Sequence, residues 1–245
     1  MAKVVGIIPA RYDSKRLPGK PLAIIDDRPM IQHVYQRAAQ AATLERLVVA
    51  TDDPRIQKAV AQFGGEVLMT SREHASGTDR VAEAARQLML TDDAIVINIQ
   101  GDEPLLRVEI IDSLVRNLQE NDSAPMVTLA YPDKDKNDFV DPAVVKVVLD
   151  ARGRALYFSR SPIPAVRDWS SPPSYYKHLG FYGYRNGFLQ EFATLSPGVL
   201  EQLEKLEQLR ALEHGFSISV VVTLFDSISV DSPEDLTRVR KIMEQ

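Results

Sequence analysis

The chain has 245 residues, of which 44% are hydrophobic and 26% charged, the balance of a globular protein with ample core rather than of a disordered or fibrous one. Its formal charge of −5 argues against broad binding along a nucleic-acid backbone, which needs a basic face, while leaving room for a small basic pocket. With no cysteine there is no disulfide or thiol nucleophile, and the apolar run at residues 3–9 is too short for a signal peptide or membrane insertion, so a cytoplasmic protein is expected.

Residues 3–9 (KVVGIIP) are an apolar run bounded by turn residues, the pattern of a strand buried on both faces of a parallel sheet. Similar runs recur at 46–51 (RLVVAT), 66–70 (EVLMT), 94–100 (AIVINIQ) and 126–131 (MVTLAY). Helical patterns separate them at 29–41, 53–63, 77–88 and 108–121; the second has Asp53 as N-cap and Pro54 in its first turn. This alternation predicts an α/β, Rossmann-like fold with a mostly parallel sheet, helices on both faces and ligands at the carboxyl ends of the strands.

From residue 141 the rhythm changes. Residues 143–149 (AVVKVVL) and 155–159 (ALYFS), around a turn at 150–153, predict an antiparallel hairpin insertion. The four prolines of 161–173 predict an irregular loop, 179–184 a strand and 200–214 a helix. Leu200, Leu203, Leu206, Leu209 and Leu212 recur every three residues, a spacing that drifts around a helix and makes no zipper seam, so this helix is expected to pack within the fold. Tyr175, Tyr176, Phe181, Tyr182 and Tyr184 fit a strand core better than a nucleic-acid stacking platform, given the net acidity. Residues 217–224, 229–231 and a helix from Pro233, with Ser232 and Asp235 as a capping box, return to the β/α pattern. One domain in three parts is expected, with boundaries at 1–140, 141–216 and 217–245.

The first loop, IIPARYDSKRLPGKP (7–21), sets Arg11, Lys15, Arg16 and Lys20 directly after the first strand, where phosphates bind in such folds. A Walker A loop fails because Gly19 and Lys20 are followed by Pro21 with no glycine five residues before, and a dinucleotide fingerprint fails because the loop has one glycine. Side-chain cations would therefore form the cradle. Two unit charges 4 Å apart interact by roughly 4 kcal/mol at an effective dielectric near 20, so an anion shared by Arg11 and Lys20 can outweigh their repulsion. A solvated charged turn that mixes Asp13 with the cations is the plainer alternative. Asp102 and Glu103 (IQGDEP, 99–104) end the fourth strand, and Asp231 ends the run ISVD. Two such carboxylates can share Mg²⁺, which takes few carboxylates plus phosphate oxygens and water, and this points to phosphoryl or nucleotidyl transfer. Singly, each reads as a turn or pre-cap residue.

IIPARYDSKRLPGKP, ATDD (50–53), REHASGTDR (72–80), NIQGDEP (98–104), ALYFSRSPIP (155–164), KHLGFYGYR (177–185), LEQLR (206–210) and VDSPEDL (230–236) together resemble the 3-deoxy-manno-octulosonate (Kdo) cytidylyltransferases, also called CMP-Kdo synthetases, along the whole chain. The resemblance implies that the anomeric hydroxyl of Kdo attacks the α-phosphorus of CTP and releases pyrophosphate, giving CMP-Kdo for lipopolysaccharide. It implies Mg²⁺, a homodimer and the cytoplasm. Region 1–140 would bind CTP, and 141–216 would bind sugar and carry the dimer contact around the hairpin. Arg11 and Lys20 would neutralise the triphosphate and Asp102 and Asp231 would hold Mg²⁺. Ser14, Arg72 and Ser76 would line the nucleotide pocket with Arg11, Lys20 and Asp102, His74 helping to shape it. Gln100, Arg160, His178, Tyr182, Glu207 and Gln208 would surround the sugar acid, the cations among them facing its carboxylate. His74 and His178 are candidates for a general base, and none is assigned. The connection at 167–177 shows little family pattern, so Asp168 and Trp169 carry no role. A cytidylyltransferase for 8-amino-Kdo, or a nucleotide-binding regulatory module without turnover, stays open as an alternative.

Overall fold

The computed structural model describes residues 3–13, 16–121, 123–170 and 172–244 of the chain. Strand β1 (Val4–Ala10) leads through a 3-10 turn (Lys20–Leu22) and a two-stranded ribbon, β2 (Ile24–Ile25) and β3 (Arg28–Pro29), into α1 (Met30–Ala38). Three β/α units follow: β4 (Arg46–Thr51) with α2 (Pro54–Gln62), β5 (Val67–Met69) with α3 (Gly77–Gln87), and β6 (Ile95–Asn98) with α4 (Val108–Glu120). Then come β7 (Met126–Asp133), α5 (Lys136–Val140), the hairpin β8 (Lys146–Leu149) and β9 (Ala155–Ser159), and the long β10 (Tyr175–Arg185). Helices α6 (Asn186–Phe192), α7 (Val199–Glu204) and α8 (Leu209–Glu213) precede β11 (Ile218–Val222) and α9 (Pro233–Met243).

The main sheet runs β11-β7-β10-β6-β1-β4-β5, with the hairpin attached through β8 to β10. Its neighbours are parallel except around β10, which lies antiparallel between β6 and β7. This is the mostly parallel α/β sheet with a hairpin insertion that the hydrophobic rhythm predicts. Strands buried on both faces need apolar residues at successive positions. In β1, Ile8 enters the core under α1, α2 and α4, while Ile7 enters the core under α3, α6 and the hairpin. Each full burial of such a side chain stabilises by roughly 1.5–3 kcal/mol.

Three expectations differ. The helix over 200–214 is two short helices, because Lys205 takes a left-handed conformation (φ 54°, ψ 46°) at the end of α7. A three-residue leucine spacing cannot keep one face on a 3.6-residue helix, and the break re-aims the second half: Leu206 and Leu209 are buried while Leu203 is 76% exposed. The run 229–231 is not a strand but an extended segment whose Val230 N–H donates to the Asp102 carbonyl at 2.9 Å. The ribbon β2–β3, α5 and α6 are additions that no strong periodicity announces.

The N-terminal caps follow local chemistry. Asp53 accepts from the Arg55 N–H, and Ser76 with Asp79 and Ser232 with Asp235 form capping boxes at α3 and α9. A small separate core of Ile25, Met30, Val230, Leu236 and Val239 pins α9 beside the β2–β3 ribbon and the segment that follows the basic loop.

Candidate active site

Because β1, β4 and β6 run parallel, their carboxyl ends share one edge, and the loops that leave it enclose a cleft of about 440 Å³. Its wall draws Arg11, Arg16 and Lys20 from the basic loop, Ser76, Gly77 and Arg80 from the start of α3, Gln100 and Asp102 from beyond β6, and Asp231. Gly19 closes the basic loop: its φ is 71°, its N–H donates to the Tyr12 carbonyl at 2.9 Å, and a Cβ there would meet the Tyr12 ring at 3.1 Å. The turn this makes sends Lys20 into the cleft. Gly101 lets the ends of β1 and β6 approach, since a Cβ on it would lie 3.0 Å from the Pro9 carbonyl oxygen.

At the centre, Lys20 Nζ lies 2.7 Å from Asp102 Oδ2 and 3.0 Å from Asp231 Oδ1. Arg16 Nη2 reaches the same Asp231 oxygen at 3.0 Å. Burial works against the Lys20 charge, but Asp102 and then Asp231 more than offset it, so its pKa is raised and the ammonium persists. Asp231 is held in place by its neighbours: Asp235 Oδ2 accepts from its N–H at 3.1 Å, and Val230 beside it is fully buried. Arg11 is exposed and has no ion pair among the described residues, so its guanidinium is available to an incoming anion. The Ser76 cap places the N-terminal amides of α3 on the same cleft, a further favourable site for negative charge.

Glu103, next to Asp102, is buried, and that burial pushes its carboxyl up to about 8, with the charges of Asp102, Asp226 and Asp231 adding to the effect. A carboxyl held neutral in the folded state and ionised in the unfolded one loses stability as pH rises, here from about 4.5 to about 8. The Glu103→Gln variant is therefore expected to lose that slope, gaining on the parent towards pH 8 by at most ~1.4 kcal/mol per pH unit. Urea unfolding of the metal-free protein at pH 5 and pH 8 checks this; equal slopes for the two proteins would contradict it.

Of the residues expected at the site, Arg11, Lys20, Ser76, Gln100, Asp102 and Asp231 line the cleft. Ser14 lies outside the described residues, as does Lys15. Arg72 opens instead onto a smaller neighbouring depression with Tyr12, Asp52 and Arg55. Arg160 is elsewhere: its guanidinium donates to the carbonyls of Glu204 at 2.8 Å and Pro142 at 3.0 Å, tying the hairpin to α7.

His178 and Tyr182 lie on β10 with their rings 5.6 Å apart, Glu207 is close enough for its charge to bear on the Tyr182 phenol, and Gln208 is buried beside Glu207 in sequence. Gln100 reaches this side, its Nε2 donating to the Gly180 carbonyl at 2.7 Å. Packed between Phe158 and Tyr182, His178 is pushed by burial down to about 3 and is neutral, which corrects the expectation that it offers a cation to a carboxylate. The Thr128 hydroxyl donates its one proton to the Phe181 carbonyl at 2.8 Å, leaving a lone pair for His178 Nε2–H at 3.0 Å. Burial also raises the Tyr182 phenol and the Glu207 carboxyl; Glu207 Oε2 accepts from Thr78 at 2.6 Å, and the Gln208 Nε2 is buried without a partner among the described residues.

Arg80 is the residue whose importance the motif did not disclose. It is 4% exposed, lines the cleft, and donates to Thr70 Oγ1 at 2.5 Å, the Ser71 carbonyl at 3.3 Å and Asp52 Oδ2 at 2.8 Å. Its position four residues after the Ser76 cap is the available signal, since helical side chains lean back towards the N-terminal turn.

The fold matches that of a solved 4-diphosphocytidyl-2C-methyl-D-erythritol synthase, with a TM-score of 0.68 at 14% identity over 99% of both chains, a likeness of fold. A second solved structure, a CMP:2-keto-3-deoxy-manno-octonic acid synthetase complexed with CTP, superposes with a TM-score of 0.94 at 44% identity over 100% of this chain and 99% of that one. The family model described as Cytidylyltransferase matches residues 5–220. A 3-deoxy-manno-octulosonate cytidylyltransferase of Syntrophobacter fumaroxidans is 58% identical over 99% of this chain and 98% of its own. An 8-amino-3,8-dideoxy-manno-octulosonate cytidylyltransferase of Shewanella baltica is 52% identical over 95% of each. The chain belongs to the cytidylyltransferase family, in its 3-deoxy-manno-octulosonate branch.

Proposed function

We propose that the protein transfers CMP from CTP to the anomeric hydroxyl of Kdo, activating the sugar for lipopolysaccharide synthesis. The observation that carries this reading is the meeting of Asp102, Asp231 and Lys20 at the carboxyl edge of a cytidylyltransferase sheet. The sugar hydroxyl oxygen forms the new bond to the α-phosphorus and gives up its proton to water, the bond from the α-phosphorus to the oxygen it shares with the β-phosphate breaks, and pyrophosphate carries away that electron pair. Arg11, Lys20 and the N-terminus of α3 neutralise the triphosphate, and positioned charge of this kind is worth most where it meets charge that develops in the transition state. Ser76, Arg72 and Ser14 are assigned to the nucleotide side; Gln100, Tyr182, His178, Glu207 and Gln208 to the sugar side. Arg160 would act there only by fixing the hairpin.

Among the described residues no group of three or more metal-ligating side chains converges. Mg²⁺ nevertheless suits the donor set, because it binds through one or two carboxylates plus substrate phosphates, and Asp102 and Asp231 supply those carboxylates. When bound it would neutralise phosphate charge and lower the pKa of the attacking hydroxyl. We further assign a homodimer, supported by Leu156 standing 61% exposed on the hairpin, and the cytoplasm, where CTP is made. No helix among the described residues is long and apolar enough to cross a membrane.

The test is pyrophosphate release from CTP and Mg²⁺ with Kdo and, in parallel, with 8-amino-Kdo. Turnover with kcat/KM higher for Kdo is the expected result. A higher value for the amino sugar would transfer the assignment to that substrate, and CTP binding without release would leave a regulatory module. Light scattering that shows a monomer would end the dimer assignment.

A further inference from the structure

We propose that Lys20 is a placeholder for the metal: without nucleotide its ammonium occupies the space between Asp102 and Asp231, and a divalent cation enters only after a triphosphate has drawn the lysine away. This rests on the metal role given above to the two carboxylates and extends it to an order of binding. Lys20 Nζ touches an oxygen of each carboxylate, at 2.7 and 3.0 Å, and its side chain is only 15% exposed, so a cation shared by those oxygens and the ammonium exclude one another. The backbones that carry the two carboxylates are tied together, because the Val230 N–H is bonded to the Asp102 carbonyl and Asp235 holds the Asp231 N–H, so the pair stays close enough to share one cation.

Charge balance points the same way. Asp102 and Asp231 are paired with two cations, Lys20 and Arg16, so their charge is already balanced at the contact. A metal entering alone would add two charges and push Lys20 into solvent with nothing to receive it. A triphosphate changes this, because it offers Lys20 a new anionic partner in the same cleft and completes the oxygen set that two carboxylates leave short. Lysine suits the exchange: it is a compact point charge on a flexible four-carbon stem, whose backbone here stays fixed by the turn after Gly19. Free metal therefore does not displace Lys20 ahead of the nucleotide.

Mn²⁺ serves as a probe countable by electron paramagnetic resonance. Wild type is expected to bind Mn²⁺ weakly alone and tightly with CTP. Lys20→Met is expected to bind Mn²⁺ at least ~10-fold more tightly than wild type without nucleotide, Lys20→Arg to stay near wild type, and Asp102→Asn added to Lys20→Met to abolish the gain. Equal nucleotide-free affinities for wild type and Lys20→Met would overturn the proposal. A second measurement needs no variant: the Lys20 ¹⁵Nζ resonance of wild type should ignore saturating Mg²⁺ and move when CTP is added, and movement with Mg²⁺ alone would overturn it. If Asp102→Asn leaves Mn²⁺ binding in the CTP complex unchanged, the metal assignment itself fails, an outcome separate from failure of the placeholder.

Discussion

Asp102→Asn is expected to leave the fold intact and to lower the turnover of CTP with Kdo at least ~100-fold, the scale of losing one positioned electrostatic partner. The substitution keeps size and shape. The amide oxygen can still accept from Lys20, which also retains Asp231 at 3.0 Å, and the Asp102 carbonyl that takes the Val230 N–H is backbone and unaffected. What disappears is one of two negative charges at the point where metal and triphosphate are proposed to meet. Pyrophosphate release gives the rate and circular dichroism with thermal melting gives the fold. Near-normal turnover would refute the metal assignment.

Arg80→Met is expected to destabilise the protein by about 2–3 kcal/mol, because removing one partner of a buried, hydrogen-bonded ion pair strands the other. Methionine keeps the length of the stem but no donor. Asp52, with a side chain 17% exposed, would lose the guanidinium at 2.8 Å, and Thr70 and the Ser71 carbonyl would lose theirs. Partial hydration of Asp52 is why the figure sits below the ~3–5 kcal/mol of a fully buried pair. Urea unfolding reads the loss directly, and a change below ~0.5 kcal/mol, typical of an open surface, would show that Arg80 is not part of the framework. The KM for CTP should rise as well, since the same side chain walls the cleft.

The β/α rhythm was legible because strands buried on both faces and capped helices write themselves locally. β4 spans Arg46–Thr51 as its apolar run does, and the Asp53 cap, Pro54 and the Ser232–Asp235 box stand where the spacing puts them. The placement of β10 was not legible. Its antiparallel insertion depends on pairing Tyr182 with Asn98, two residues whose local sequences carry no sign of each other. The break at Lys205 was hidden for a different reason: a left-handed turn is announced by glycine or asparagine, and here a lysine adopts it.

At the cleft, Arg11, Lys20, Gln100, Asp102 and Asp231, which come from separate motifs, lie on one wall. Sequence could not disclose that Lys20 would sit between the two carboxylates, because that follows from the Val230–Asp102 bond and from how α9 packs. Nor could it show that His178 is neutral, since desolvation is set by Phe158 and Tyr182 around it and not by its chain neighbours.

Asp231 comes from the last secondary-structure unit, beyond residue 220 where the family match ends, and α9 holds it with few contacts to the central sheet. Loss of the segment after β11 would therefore remove Asp231 and the Val230 bond to Asp102 together, leaving Arg11 and Lys20 opposite a single carboxylate.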